Sequence, residues 1–88
     1  MKYIFGKNVN IRHVRIFELL EKPYLNEERQ IVRPHLSSDE IYNSVKYLYK
    51  VNPYLSTKPG SIIDCRNDLV DMINRSGLWR DQEGKYYI

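Results

Sequence analysis

The sequence predicts an α+β fold in which three helices are followed by a two-stranded β-hairpin. Apolar residues recur at helical spacing in three segments, which begin near Asn10, Ser37 and Ser61. A short β-prone run lies between the first two helices, and a turn-rich connector separates the second from the third. Residues 78–88 contain two further β-prone runs on either side of a glycine turn. This order of elements is the plan of a winged helix-turn-helix domain, with residues 78–88 as the wing.

The N-terminal segment, residues 1–9, is expected to form a strand or an ordered arm, because Lys2 to Phe5 is β-prone and Gly6 closes the run. Asn10 is a good N-cap for the first helix, and Pro23 ends it. The predicted buried stripe of this helix consists of Ile11, Val14, Phe17 and Leu20, joined by Ile16 and Leu19. The positions that fall outside the stripe are Arg12, His13, Arg15 and Glu18.

The second helix has the clearest local signature in the chain. Ser37 and Glu40 form a capping box, in which the side chain of each residue accepts a hydrogen bond from the backbone amide of the other. Leu36 and Ile41 occupy the two positions of a hydrophobic staple. The preceding residues 24–36 are expected to be irregular, with a short edge strand at residues 30–33.

The third helix begins near Ser61 and ends at Gly77, which is the residue type that most readily adopts the left-handed conformation after a helix. Its predicted buried face consists of Ile62, Cys65, Leu69, Met72, Ile73 and, at its margin, Ile63. Residues 81–84 form the turn of the wing, and Trp79 or Tyr87 is expected to anchor the wing on the helices. Residues 10–77 therefore form the helical core of one domain.

Length and composition limit the class of protein. Eighty-eight residues suffice for one small domain, and no apolar run approaches the length of a membrane span. Because Cys65 is the only cysteine, an internal disulfide is excluded and a reducing compartment is expected. The N-terminus has no long apolar region of the signal-peptide type. We therefore expect a cytoplasmic protein, or a protein of the host cytoplasm if its source is viral.

Charge is segregated along the chain, although the net charge is only +3. Residues 1–15 carry Lys2, Lys7, Arg12 and Arg15 and no acidic residue. Residues 41–60 carry three lysines and likewise no acidic residue. Such a distribution is expected if one face meets a polyanion, but it is equally compatible with an ordinary solvated surface.

One stretch resembles a known family. Residues 35–45 read HLSSDEIYNSV and are followed by a turn with Leu55-Ser56, a helix ending DLVDMINRSGLWR, and a glycine hairpin closing on KYYI. Over residues 10–88 this is similar to the N-terminal DNA-binding domain of the ferric uptake regulator family. There an LS/T-x-x-EIY helix precedes the recognition helix, and an L-x-x-x-G-L segment leads into the wing. The resemblance implies a winged-helix fold and binding to double-stranded DNA.

The resemblance does not extend to metal sensing. The family's T-V-Y-R segment corresponds here to residues 62–66, where only Arg66 matches a DNA-facing position. The family's second domain, which dimerises and binds metal, has no counterpart, and no cluster of metal ligands replaces it. His13, His35 and Cys65 are too scattered for a metal site, and Ser37 and Ser38 are explained by capping rather than catalysis. We predict no cofactor and no enzymatic activity.

The predicted DNA contacts lie on the third helix, the wing and the N-terminal half. Arg66 and Asn67 suit the edges of guanine and adenine, and Lys58 and Ser61 lie where a helix N-terminus can hold a phosphate. The remaining predicted contacts are Asn74 and Arg75 on the helix, Arg80 and Lys85 in the wing, and Arg12 and Arg15 near the N-terminus. A homodimer is expected, since one small domain has a modest interface with DNA.

Three aspartates of the third helix oppose this prediction. Asp64, Asp68 and Asp71 repel phosphate if they face the groove, and the outward residues are expected to include Asp64 and Asp71. If two of the three lie on the groove side, the domain binds DNA through its basic N-terminal half or binds protein. The alternative function is therefore a viral or mobile-element module that contacts a host protein through exposed tyrosines such as Tyr47 and the acidic third helix.

Overall fold

The computed structural model describes residues 10–88 and has an α+β architecture of three α-helices and two antiparallel β-hairpins within that range. The predicted strand or arm of residues 1–9, with Lys2 and Lys7, lies outside the described residues. The elements are α1 (Ile11–Glu21), β1 (Tyr24–Leu25), β2 (Ile31–Val32), α2 (Ser38–Val45) with a following 3₁₀ helix (Lys46–Tyr49), α3 (Ile62–Asn74), β3 (Trp79–Arg80) and β4 (Tyr86–Tyr87). From residue 10 onward, no helix is both long enough and apolar enough to cross a bilayer.

The predicted starts of α1 and α2 are confirmed. The side chain of Asn10 accepts a hydrogen bond of 2.9 Å from the amide of Arg12. Both bonds of the α2 capping box are present, at 3.2 Å to the Ser37 hydroxyl and 3.1 Å to the Glu40 carboxylate. These bonds satisfy amides that a helix start otherwise leaves without partners.

The core forms where the three helices meet the C-terminal hairpin. Its fully or almost fully buried members are Ile16, Leu20, Ile41, Val45, Tyr49, Cys65, Leu69, Met72, Leu78 and Tyr86. The predicted stripe of α1 is wrong at its N-terminal end, where Ile11 is 51% exposed and His13 is buried. The reason lies in the partner helix, because the first turn of α1 packs against carboxylates of α3 rather than against apolar side chains.

Residues 24–32 form an antiparallel hairpin that the sequence did not predict. The expected strand at residues 30–33 is present as β2, and it pairs with β1 so that Tyr24 lies opposite Val32 and Leu25 opposite Ile31. The side chains of Tyr24, Leu25 and Ile31 are all more than half exposed. Two-residue strands with exposed side chains carry no burial period, so sequence patterning has no means of detecting β1.

The predicted strands and turn at the C-terminus are confirmed as an antiparallel hairpin. Trp79 lies opposite Tyr87 and Arg80 opposite Tyr86, with Gly84 at φ 79° in the turn. Leu36 forms an antiparallel β-bridge with Tyr86 on the other side of β4, through backbone hydrogen bonds of 3.0 and 2.7 Å. The predicted anchor Trp79 is wrong, because its side chain is 58% exposed.

The residues that anchor this hairpin are its inward-facing ones. Leu78 and Tyr86 are buried in the core, since alternate residues of a strand face opposite sides. Tyr87, the other predicted anchor, stacks on the ring of His35 at 4.3 Å between centroids. His35 also contacts Asp81 at 2.9 Å, so with the backbone pair of Leu36 and Tyr86 the segment that precedes α2 is attached to the hairpin at three points.

The end of α3 corrects a further prediction. The left-handed residue is Ser76, at φ 60°, and not Gly77. The amide of Ser76 donates to the carbonyl of Ile73 and that of Gly77 to the carbonyl of Met72, which is the paired bonding of a Schellman motif. The helix therefore stops one residue earlier than its glycine indicates, with a serine in the conformation that glycine adopts most easily.

Candidate nucleic-acid interface

The helix α3 presents three distinct faces, because successive residues are turned by about 100°. One face enters the core through Cys65, Leu69 and Met72. A second face, turned towards α1, carries the three aspartates, Asp64, Asp68 and Asp71. The third face points outward, and we call it the α3 stripe; its members are Ile63, Arg66, Asn67, Val70 and Asn74.

The α3 stripe is open to solvent and includes no carboxylate of its own helix. All five of its residues are exposed, with 63% of Ile63 and 53% of Val70 accessible. Arg66 is held towards α2, where it donates to the Ser38 hydroxyl at 3.3 Å and lies 3.8 Å from the carboxylate of Asp39. The stripe thus combines one cation, two amides and two apolar side chains.

Two of the three aspartates are buried, and the third, Asp71, borders the α3 stripe one turn after Asn67. Asp68 is fully buried, and Asp64 is 5% exposed, which corrects the expectation that Asp64 faces outward. Asp64 accepts hydrogen bonds from the amide and the hydroxyl of Ser61 and so caps its own helix. Asp71 is partly exposed and is paired with Arg75 at 3.1 Å. The condition that two aspartates face the groove is therefore not met.

Asp68 is the centre of a polar cluster between α1, α3 and the connector that precedes α3. The guanidinium of Arg12 donates two hydrogen bonds to its carboxylate, at 2.7 and 3.1 Å. The hydroxyls of Tyr49 and Tyr54 each donate one, at 2.5 Å. Nε2 of His13 lies 3.4 Å from oxygens of both Asp68 and Asp71 but has no partner in hydrogen-bond geometry among the described residues. This cluster holds the Asp68 side of α3 inward, next to the apolar face that enters the core.

The ionisation of the cluster follows from these contacts. Burial by itself raises the pKa of the Asp68 carboxyl, but His13 and Arg12, followed by the two tyrosine hydroxyls, lower the pKa well below its ordinary value. Burial and the bond to Asp68 raise the pKa of Tyr54 to about 12 and that of Tyr49 further. The cluster therefore holds one carboxylate, one guanidinium and two neutral hydroxyls at neutral pH.

Three of the other predicted contacts, Arg12, Arg15 and Ser61, have internal partners. Arg12 is committed to Asp68, and Arg15 pairs with Glu18 at 3.0 Å on the surface of α1. The amide of Ser61, which we expected to hold a phosphate, donates to Asp64 at 2.7 Å instead. Lys58 is exposed in the connector. Ser61 and Arg12 therefore have structural roles in the described chain.

The predicted contacts of the wing differ in their surroundings. Arg80 is exposed, with its guanidinium 5.5 Å from the centre of the Tyr86 ring. Lys85 lies among acids, 3.7 Å from Glu83 and close enough to Glu40 to lower the pKa of that carboxyl beyond the effect of its bonds to Ser37. Arg80 is therefore the less neutralised of the two.

The structure brings Arg66, Asn67 and Asn74 together on the α3 stripe and places Arg75 on the aspartate side. Sequence reasoning missed the outward positions of Ile63, which we assigned to the margin of the buried face, and of Val70. A signal for both was available, because residues 63 and 70 are seven apart and fall outside the stripe of Cys65, Leu69 and Met72.

The residues considered as metal ligands lie in three separate environments. His13 faces the aspartates, His35 stacks on Tyr87, and Cys65 is a buried member of the core. Burial raises the pKa of the Cys65 thiol to about 11, which makes it an unreactive small apolar residue. The prediction that Cys65 faces the core is confirmed.

A comparison of the chain with family models finds no match, and neither curated proteins nor solved structures provide one. The resemblance to the ferric uptake regulator family therefore stays a prediction from motifs alone.

Proposed function

We propose that the chain is a winged-helix protein that binds duplex DNA with α3 in the major groove and the β3–β4 hairpin on the flanking backbone. The order of α1, α2, α3 and the hairpin supports the winged-helix assignment. The β-bridge between Leu36 and Tyr86 supports the assignment further, because this bridge attaches the segment before α2 to the hairpin as a short third strand. The β1–β2 hairpin is an addition to that plan.

The observation that carries the proposal is the chemistry of the α3 stripe. Its five residues include a guanidinium and two amides, while Asp64 and Asp68 are buried on another face. Arg66 and Asn67 lie side by side, where an arginine matches the acceptors of guanine and an asparagine matches adenine. A solvent-exposed helix face without carboxylates is compatible with the phosphates that line the groove.

Electrostatics limits the strength of this interface. Arg66 and Lys85 both have acidic neighbours, and Arg80 is the cation of the hairpin that is placed best for a phosphate. One copy therefore offers few cations to the backbone, and specific binding requires either two copies or added contacts. A homodimeric transcription regulator is the form of the proposal that meets this requirement.

The test is a titration of the full chain into a fluorescently labelled duplex with a randomised central region, followed by anisotropy at about 50 and 200 mM salt. Binding that weakens as salt rises is the expected result, because each neutralised phosphate releases counterions. Enrichment of particular sequences over rounds of selection from the same pool would establish base readout. Complete absence of binding at the lower salt would contradict the proposal.

The second candidate function is a protein-interaction module. It is favoured by the large apolar side chains that the chain exposes, among them Trp79 at 58% and Ile63 at 63%. Such residues suit the centre of a protein interface as well as a groove in DNA. A chain that binds no duplex at low salt but loses partner binding on Trp79→Ala would fit this candidate.

A further inference from the structure

Two apolar residues of the α3 stripe have no role in the core. Ile63 and Val70 are both more than half exposed and flank the polar pair, Arg66 and Asn67, along the helix. Exposed isoleucine and valine leave apolar surface in water, and neither contributes to a helix cap or an ion pair. Their position on either side of Arg66 and Asn67 suits a ligand with apolar groups at two separate points.

We propose that Ile63 and Val70 read the methyl groups of two thymines in the major groove, an inference that rests on the proposed DNA binding. The 5-methyl of thymine is the apolar group that a base pair presents in this groove. A peptide ligand also offers apolar groups. The guanidinium of Arg66, which Asp39 at 3.8 Å neutralises only in part, and the absence of α3 carboxylates from the stripe favour the polyanion over a peptide.

The spacing of the two residues sets the spacing of the thymines. Seven residues of α-helix span about 10 Å along the axis, at about 1.5 Å per residue. Base pairs follow one another at about 3.4 Å along the duplex axis, to which a helix in the major groove is inclined, so this length spans at most about three base steps. The preferred site therefore has two thymines within about three steps of each other, with the guanine and adenine contacts of Arg66 and Asn67 between them.

Deoxyuridine provides a direct test, because it differs from thymidine only by the missing methyl. A duplex selected from the randomised pool is resynthesised with each thymine replaced in turn by deoxyuridine, and affinities are measured for the full chain. We expect replacement to weaken binding about fourfold at each of two positions, the effect of removing one buried methyl. Other thymines should tolerate the change.

The protein variants identify the residue that contacts each methyl. In Ile63→Ala the duplex bearing thymine and that bearing deoxyuridine at one position should bind equally, and Val70→Ala should do the same at the other position. Ile31→Ala is the matched control, since Ile31 is 78% exposed on β2 and away from α3. The affinity of Ile31→Ala should still fall when deoxyuridine replaces thymine at either position. Circular dichroism of each variant verifies folding.

The possible outcomes separate this inference from the function on which it rests. Loss of sensitivity in the α3 variants and not in Ile31→Ala supports the methyl contacts. Selected duplexes that bind with sequence preference yet show no effect of deoxyuridine, or the same effect in every variant, overturn the inference and leave DNA binding intact. Failure to bind any duplex overturns both.

Discussion

Arg12 in the first turn of α1 holds the carboxylate of Asp68 on α3 through two hydrogen bonds of 2.7 and 3.1 Å, although the two residues lie 56 positions apart in the chain. A buried carboxylate without partners is very costly, whereas a bidentate guanidinium supplies both charge and geometry. This pair turns Asp68 inward. Together with the apolar face of Cys65, Leu69 and Met72, the pair leaves the α3 stripe as the side of the helix that is available to a ligand.

Removing the Asp68 carboxylate should destabilise the fold strongly. In Asp68→Ala the Arg12 guanidinium and the Tyr49 hydroxyl lose their shared acceptor, and we expect the free energy of unfolding to fall by about 3–5 kcal/mol. Urea denaturation measures the change. Because so large a loss approaches the total stability of a small domain, Arg12→Met provides a second variant. Glu18→Ala, which breaks an exposed pair, should cost less than about 1 kcal/mol.

Acid should remove the contribution of Asp68 to the free energy of unfolding. Its pKa is lowered in the folded state, so the unfolded chain takes up a proton first as the pH falls. The stabilisation is present above about pH 5 and is lost progressively as the pH falls below the unfolded value towards the folded one. Denaturation in urea at several pH values from 7 to about 2 should show a flatter decline for Asp68→Asn than for the natural chain.

The stability of Asp68→Asn should still decline to some extent in acid. The pKa of Asp81 is lowered first by its contact with His35, and that of Glu40 by its bonds to Ser37. Both carboxylates therefore favour the folded state above their unfolded pKa values. Identical slopes for Asp68→Asn and the natural chain would show that the buried carboxylate has no part in the acid response.

Replacing the serine after α3 by glycine should stabilise the fold. Ser76 is at φ 60°, a conformation that costs a residue with a Cβ about 1 kcal/mol and glycine almost nothing. Ser76→Gly is therefore expected to raise the free energy of unfolding by about 0.5–1 kcal/mol, read as a higher Tm. Ser44→Gly, within α2, should have the opposite sign. A decrease in Tm for Ser76→Gly would contradict the assigned cap.

The two glycines with tight surroundings should differ in their tolerance of alanine. A Cβ at Gly60 would lie 2.6 Å from the carbonyl carbon of Tyr49, which is backbone and has no room to retreat. Gly60→Ala should therefore cost more than about 2 kcal/mol, by separating the connector from the 3₁₀ helix. Gly84→Ala meets only the mobile end of Arg80 and suffers mainly from its φ of 79°, so it should cost about 1 kcal/mol. Equal losses in urea denaturation would refute this difference.

Base contacts and phosphate contacts should separate in the binding assay. Arg66→Ala should reduce discrimination between the selected duplex and a scrambled one, with a loss of about 1–3 kcal/mol on the selected sequence. Arg80→Ala should weaken both duplexes alike and reduce the salt slope by about 1, whereas Lys85→Ala should have a smaller effect because Glu83 lies 3.7 Å from its ammonium group. Arg33→Ala, an exposed arginine on the segment after β2, serves as the matched control. Unchanged affinity in Arg66→Ala and Arg80→Ala would remove these residues from the interface.

The starts of the helices were predictable because helix capping is local. Ser37 and Glu40 are three residues apart, and their reciprocal bonds need no other part of the chain. The strands and the turn of the C-terminal hairpin followed from the same kind of local chemistry, with Gly84 in the left-handed conformation. By contrast, the β1–β2 hairpin escaped prediction because its strands are short and have no buried face.

The sequence by itself determined where the helices begin and which residues recur on one side of each, since both depend on neighbours within one or two turns. It predicted the apolar face of α3, but it did not determine that the charged Asp68 is buried beside that face. That burial depends on Arg12, Tyr49 and Tyr54, which approach Asp68 from distant parts of the chain and stabilise its charge in the interior. Only the tertiary structure brings a buried charge and its partners together, and the exposed α3 stripe is the consequence.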